Sequence, residues 1–131
     1  MNRRKLLLVG TVFALLSILA GAFGSHALKK IFSADEILTY ETAVRYQMYH
    51  AFAILFTGLL VNESNRRYSS VAGLLFLVGI IFFSGSLYLI SFLKSQGIDI
   101  PMLLGLITPM GGIMFACGWI MLAASVYKTK I

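Results

Sequence analysis

The chain has 131 residues, 59% of them hydrophobic and 12% charged, with a mean hydropathy of +0.87 and a formal net charge of +6. This is enough chain for one domain, and the composition excludes an ordinary soluble fold. In a soluble protein the positive charge would point to nucleic acid; here it clusters at the ends of apolar stretches, so membrane lipids are the expected partners and no nucleic acid is.

Arg3, Arg4 and Lys5 open the first apolar stretch, Leu6–Phe23. With Ala20-Gly21-Ala22 behind it, the segment has the form of a secretory signal and its cleavage site. Gly10, Ala14, Ser17, Gly21 and Gly24 nevertheless fall on one helical face, a packing stripe that a discarded peptide does not need, so a retained membrane helix is expected. His26-Ala27-Leu28-Lys29-Lys30 begins the longest connector, where His26 reads as an interfacial side chain or a cap. Within that connector, Ser33-Ala34-Asp35-Glu36 has capping-box spacing. Ile31, Phe32, Ile37, Leu38 and Tyr40 give it an apolar side, predicting a short interfacial helix that runs into the second span, either separately or as one continuous helix with it.

The second stretch, Glu41–Val61, carries the unusual residues. Glu41, Thr42, Arg45, Tyr46, Tyr49, His50 and Thr57 share about half of a helical wheel. Glu41 and Arg45 are spaced to pair, as are Tyr46 and His50. At ~1.5 Å per residue, His50 lies roughly 13 Å beyond Glu41, near mid-bilayer if Glu41 marks the edge. Ionisable groups at that depth face a protein interior or a wet cavity. Two readings follow. In one, the face is a ligand site of Glu41, Arg45, Tyr46, Tyr49 and His50 with Thr108 of the fourth span: Arg45 anchors, Glu41 holds Arg45, and His50 titrates. In the other, the same groups lock the second helix to Ser84, Ser86 or Thr108, since buried polar groups must be paired.

Asn62–Arg67 reads as a tight turn, with Tyr68 behind it at headgroup depth. The third stretch is Val71–Phe92. Lys94-Ser95-Gln96-Gly97 makes the next turn, Asp99 is the expected N-cap, and Pro101 the expected first-turn residue of the fourth stretch, Met102–Val126. Gly105, Thr108, Gly112, Ala116 and Ala123 predict a second packing stripe or a dimer seam. Pro109 lacks an amide for the Gly105 carbonyl and predicts a kink. Cys117 stands alone and reads as a small apolar residue; Trp119 reads as core or belt.

Four spans put both termini and the Val61–Tyr68 loop on one side. Arg3, Arg4, Lys5, Arg66, Arg67, Lys128 and Lys130 lie there against Glu63, while Lys29, Lys30, Arg45 and Lys94 are balanced by Asp35, Glu36, Glu41 and Asp99 on the other. Cationic loops stay cytoplasmic, so both termini are expected inside. Enzyme chemistry has little footing: there is no GxSxG, no phosphate-cradling loop and no HExxH or CxxC, and two histidines at different expected depths make a poor haem pair. No catalytic residue, metal or cofactor is expected.

Gly21-Ala22-Phe23-Gly24-Ser25-His26-Ala27-Leu28, Glu41-Thr42-Ala43-Val44-Arg45-Tyr46-Gln47-Met48-Tyr49-His50-Ala51, Thr108-Pro109-Met110-Gly111-Gly112 and Gly118-Trp119 together resemble one family over essentially the whole chain. It is the small membrane-protein family of domain of unknown function 423, similar to animal transmembrane protein 256. The family pattern in the first block resembles GAFGAHA, with Ser25 here in place of an alanine. The resemblance implies a four-span protein of the bacterial plasma membrane and brings no biochemical activity with it.

The expectation is therefore an all-α integral membrane four-helix bundle formed by residues 1–131 as a single domain. It would be a non-enzymatic protein binding a lipid or small amphipathic ligand on the second helix. The alternative is a structural or assembly subunit, as a homo-oligomer or in a larger membrane complex. A proton-coupled exporter of the small multidrug type is weaker: that class resembles proteins with a carboxylate inside the first helix, and this one has none.

Overall fold

The computed structural model of the chain describes residues 1–128 and is helical throughout, with no strand among them. Lys130, counted above with the C-terminal cations, lies outside the described residues. The long helices are α1 (Arg3–His26), α2 (Ala34–Leu60), α3 (Arg66–Ser95) and α4 (Met102–Lys128). They contain the four expected apolar stretches, save that Val61 is the residue after α2 rather than its last. The segment Arg3–Lys30 and helices α3 and α4 are long and apolar enough to cross a membrane. At 27 residues α2 is as long as α4, but its polar residues leave it less apolar than the other three.

The capping box forms as its spacing predicts. Ser33 N donates to Glu36 Oε2 at 2.7 Å, and Glu36 N to Ser33 Oγ at 3.4 Å. Of the two forms expected for the interfacial segment, the continuous one is found. Nothing between Asp35 and Glu41 breaks the helix, so α2 runs on from Ala34, preceded only by a 3₁₀ turn at Leu28–Lys30. Leu28, Phe32 and Tyr40 close this end as a small cluster of their own with Tyr88, and the Phe32 and Phe92 rings meet edge to face at 5.1 Å.

Packing is by close approach, as expected where lipid competes for every apolar side chain. α1 lies along α2 and α3 along α4, with α2 also against α3. The α1 stripe is the seam to α2. A Cβ on Gly10 would stand 2.7 Å from Leu55 Cγ, one on Gly24 would stand 2.6 Å from the Tyr40 ring, and Ser17 Oγ donates to the Val44 carbonyl at 2.7 Å.

On α4 the seam differs from the expected stripe. Gly105, Ala116 and Ala123 are exposed, whereas Gly111, Phe115, Gly118, Leu122 and Ser125 are buried. The seam alternates glycines with large side chains: Phe115 fills the space over Gly79 of α3, and Phe76 of α3 the space over Gly118. Helix α4 continues unbroken through Pro109, which is exposed. Asp99 does not cap it; the Pro101 carbonyl accepts from Leu104 N at 2.9 Å and Gly105 N at 3.3 Å, so Pro101 holds the N-cap position.

One feature of α3 has no local sequence signal. Its middle turn, Ile80–Ser84, is π-helical, and Gly111 of α4 lies against the Phe83 backbone there, 2.8 Å from Cα to a Cβ position. Ser84, at the end of that turn, is buried, and its hydroxyl has no hydrogen-bond partner among the described residues.

The N-terminus, the last described turn of α4 and the α2–α3 turn gather at one end of the molecule. Buried Asn65 donates to the Leu60 carbonyl at 3.0 Å, Ser69 and Ser125 hydroxyls meet at 2.7 Å, and Ser70 Oγ donates to the Met1 carbonyl at 2.7 Å. Arg3, Arg4, Lys5, Arg66, Arg67 and Lys128 are exposed around this end.

Candidate functional site

The polar run of α2 divides into two parts. One helical turn spans 3.6 residues, so a face that is half buried presents one edge outward and the other to neighbouring helices. Glu41, Arg45, Tyr46 and Tyr49 take the outward edge; Gln47, His50 and Thr57 take the inward one.

The outward part begins at a cleft of about 210 Å³ between α1 and α2. Gly21, Gly24 and Ser25 form one wall and Tyr40, Glu41, Val44 and Arg45 the other. On its α1 side the cleft is walled by backbone at Gly21 and Gly24, whose missing side-chain positions lie 3.4 Å from Val44 Cγ1 and 2.6 Å from the Tyr40 ring. Its floor is fixed: Tyr40 packs on Gly24 and its hydroxyl donates to the Ala20 carbonyl at 2.9 Å. Glu41 also borders a second, shallower cleft of about 410 Å³ with Lys29, Phe32, Ala34, Ile37 and Leu38. Arg45 does not form the expected pair with Glu41; its Nη2 donates to Thr42 Oγ1 on its own helix at 3.3 Å, and both charged side chains are exposed. Tyr46 leans on Phe83 with ring centroids 4.6 Å apart, and Tyr49 is 57% exposed.

The inward part is a lock. His50 is 5% exposed and stacks on Phe115 with centroids 3.4 Å apart and planes 5° from parallel. Its neighbours fix the tautomer: Nδ1–H donates to the Tyr46 carbonyl at 2.8 Å, and Nε2 accepts from Trp119 Nε1–H at 3.3 Å. A ring with both nitrogens engaged and one face covered has no free position for a ligand, so the expected titrating role does not fit its surroundings. One turn away, Gln47 Nε2 donates to the Phe13 carbonyl of α1 at 3.0 Å, and its Oε1 accepts from the Tyr88 hydroxyl of α3 at 3.0 Å. Two residues thus tie α2 to all three other helices.

Thr108 does not join the α2 face. Its hydroxyl meets Ser86 Oγ at 2.6 Å, joining α3 to α4, so neither Ser86 nor Thr108 is the partner of His50. The residues missed from the sequence are Gln47, Tyr88 and Trp119. Gln47 had a signal available, being an uncharged polar residue at membrane depth; the other two could be identified only through their partners, 41 and 69 residues away along the chain. His26 is exposed at the end of α1. Among the described residues no three His, Cys, Asp or Glu side chains gather as a metal site would require.

Comparison with known proteins bears on the whole chain. Residues 20–112 match the family described as protein of unknown function, DUF423, a span that holds the α1–α2 cleft, all of α2 and α3, and the first part of α4. The UPF0382 membrane protein SSP2132 of Staphylococcus saprophyticus is 36% identical over 122 residues, covering 93% of this chain and 96% of that protein. The UPF0382 membrane protein YwdK of Bacillus subtilis is 35% identical over 93% of this chain and 95% of its own. A UPF0382 membrane protein of Haemophilus influenzae is 34% identical over 98% of both. No solved structure matches the chain. With its membrane-length helices and apolar exterior, this chain is a small multi-pass membrane protein and belongs to the DUF423 family.

Proposed function

We propose that the protein crosses the bacterial plasma membrane four times, with both termini cytoplasmic, and holds an amphipathic, lipid-like ligand in the α1–α2 cleft without transforming it. The observation that carries this is the position of Glu41 and Arg45. Both are exposed, they flank a cleft floored by Tyr40, and among the described residues Arg45 has only Thr42 as a partner. A charged side chain near a membrane boundary is stable where it meets headgroups, water or a bound polar group. The cationic end, formed by the chain termini and the α2–α3 turn, supports the cytoplasmic assignment, and α2 then supplies the fourth crossing.

The test is native mass spectrometry of gently solubilised protein. Wild type should retain a bound lipid mass that Arg45→Gln loses at an unchanged unfolding midpoint. Equal retention by the two would refute the site. A reporter fused at Met1 that functions only in the cytoplasm checks the orientation.

A second reading, assembly with another membrane protein or a second copy, is favoured by the outward Gly105, Ala116 and Ala123 of α4. Loss of a stoichiometric partner on Ala116→Leu, with Arg45→Gln unaffected, would select it.

A further inference from the structure

The cleft charges follow a definite order, and that order specifies a headgroup. Lys29 borders the outer cleft, Glu41 borders both, and Arg45 borders the inner one, so the sequence across the two is cation, anion, cation. All three side chains are exposed. A purely anionic occupant reaching both cations would have to lie over the Glu41 carboxylate. A purely cationic one would lie between Lys29 and Arg45. An occupant bearing both a phosphate and an ammonium group meets neither penalty. Arg45 presents a planar fork of donors suited to phosphate oxygens, and Glu41 presents acceptor oxygens suited to an ammonium with N–H donors.

The surface below the cleft fits the rest of such a molecule. Along the outward edge of α2, polarity falls steadily from Arg45 through Tyr49 to Phe52 and Phe56, all of them exposed. From Arg45 to Phe56 is about 16 Å at ~1.5 Å per residue, close to one leaflet's share of a hydrocarbon core of about 30 Å. The face is therefore graded from charge to hydroxyl to ring over the depth that a single acyl layer occupies.

We infer that the occupant of the α1–α2 cleft is a zwitterionic phospholipid with a primary ammonium headgroup, of the phosphoethanolamine class, selected by Glu41. This rests on the lipid-binding reading above and adds the headgroup to it. A quaternary ammonium lacks N–H donors for the Glu41 carboxylate, and an anionic glycerol headgroup supplies no positive partner for it.

The experiment is native mass spectrometry of the full chain equilibrated with an equimolar mixture of phosphatidylethanolamine, phosphatidylcholine and phosphatidylglycerol. Wild type should retain phosphatidylethanolamine over phosphatidylglycerol by roughly tenfold, the order expected of one charge-assisted hydrogen bond. Glu41→Gln should erase that preference and raise phosphatidylglycerol, while Arg45→Gln should lower retention of all three. Equal retention of the three by wild type, still reduced by Arg45→Gln, overturns the headgroup assignment and leaves the lipid site standing. A preference unchanged in Glu41→Gln also overturns it. No retained lipid in either wild type or Arg45→Gln overturns both, as does a lipid-free dimer, which would give this face to a second copy.

Discussion

The two parts of the polar run on α2 differ in what satisfies them. His50 and Gln47 each make two hydrogen bonds, and three of those four partners come from other helices. Glu41 and Arg45, one or two turns earlier, face a cleft, and Arg45 reaches only its own helix. Both parts carry polar groups and the spacing is continuous. Spacing places a polar group on a helix; the neighbouring helix decides whether that group is a fastener or a working surface. Here α4 covers the inward edge with Phe115 and Trp119, while Glu41 and Arg45 stay exposed beside the α1–α2 cleft.

Substitutions can break this contrast in graded steps. The largest effect should come from His50→Ala, which empties the space stacked on Phe115 and leaves the Trp119 N–H without its acceptor. A loss of about 3 kcal/mol is expected, read as an earlier unfolding midpoint in detergent titrated with denaturing surfactant. A wild-type midpoint would mean that His50 is not a lock.

Next comes the paired test of the α4 seam. Gly118→Ala puts a Cβ 2.7 Å from the Phe76 ring and should cost about 2 kcal/mol, whereas at Gly112 the nearest atom to a Cβ is Phe83 Cδ2, 4.0 Å away, so Gly112→Ala should be near neutral. Equal costs at the two positions would disprove the seam. Gln47→Leu should cost about 1 kcal/mol, two interhelical hydrogen bonds at roughly 0.6 kcal/mol each; the same unfolding titration on Gln47→Leu in a Tyr88→Phe background should then show less than the additive loss. The smallest stability effect belongs to Arg45→Gln, less than about 0.5 kcal/mol, because nothing packs on an exposed guanidinium. Its consequence should appear in lipid retention, and a large drop in stability would place Arg45 among the fasteners.

Much of this arrangement was legible in the sequence, for physical reasons that can be named. The helix positions follow from apolar length. Ser33 and Glu36 cap α2 because a capping box needs only residues three apart. The α1 stripe was readable because its glycines and serine sit against an α2 whose backbone comes close. As packing within the bundle the α4 stripe was misplaced, because small residues were counted without the rings that fill the spaces they leave: Phe115 fills the space over Gly79 and Phe76 that over Gly118, while Gly105, Ala116 and Ala123 are exposed, which leaves them to the dimer-seam alternative. The candidate site was half legible. An ionisable residue at depth drew attention to α2, yet nothing local separates Arg45 from His50. The distinction lies in Trp119, Tyr88 and Phe13, which come from three different helices.

The π turn at Ile80–Ser84 has a consequence for how α3 is phased. Bonding from i to i+5 stores one residue more than an α-helix needs for the same turn, as an insertion absorbed without a loop would. Were the turn to relax to α bonding with that residue kept, the second half of α3 would rotate by about 100° against its first half. Ser86 would then leave Thr108 and Tyr88 would leave Gln47, though neither residue had been changed. The third helix thus carries information in how it is wound as well as in its composition: Phe76 and Ser69 set its first half against α4, Ser86 and Tyr88 set its second half against α4 and α2, and the π turn between them absorbs the extra residue so that both stay in register.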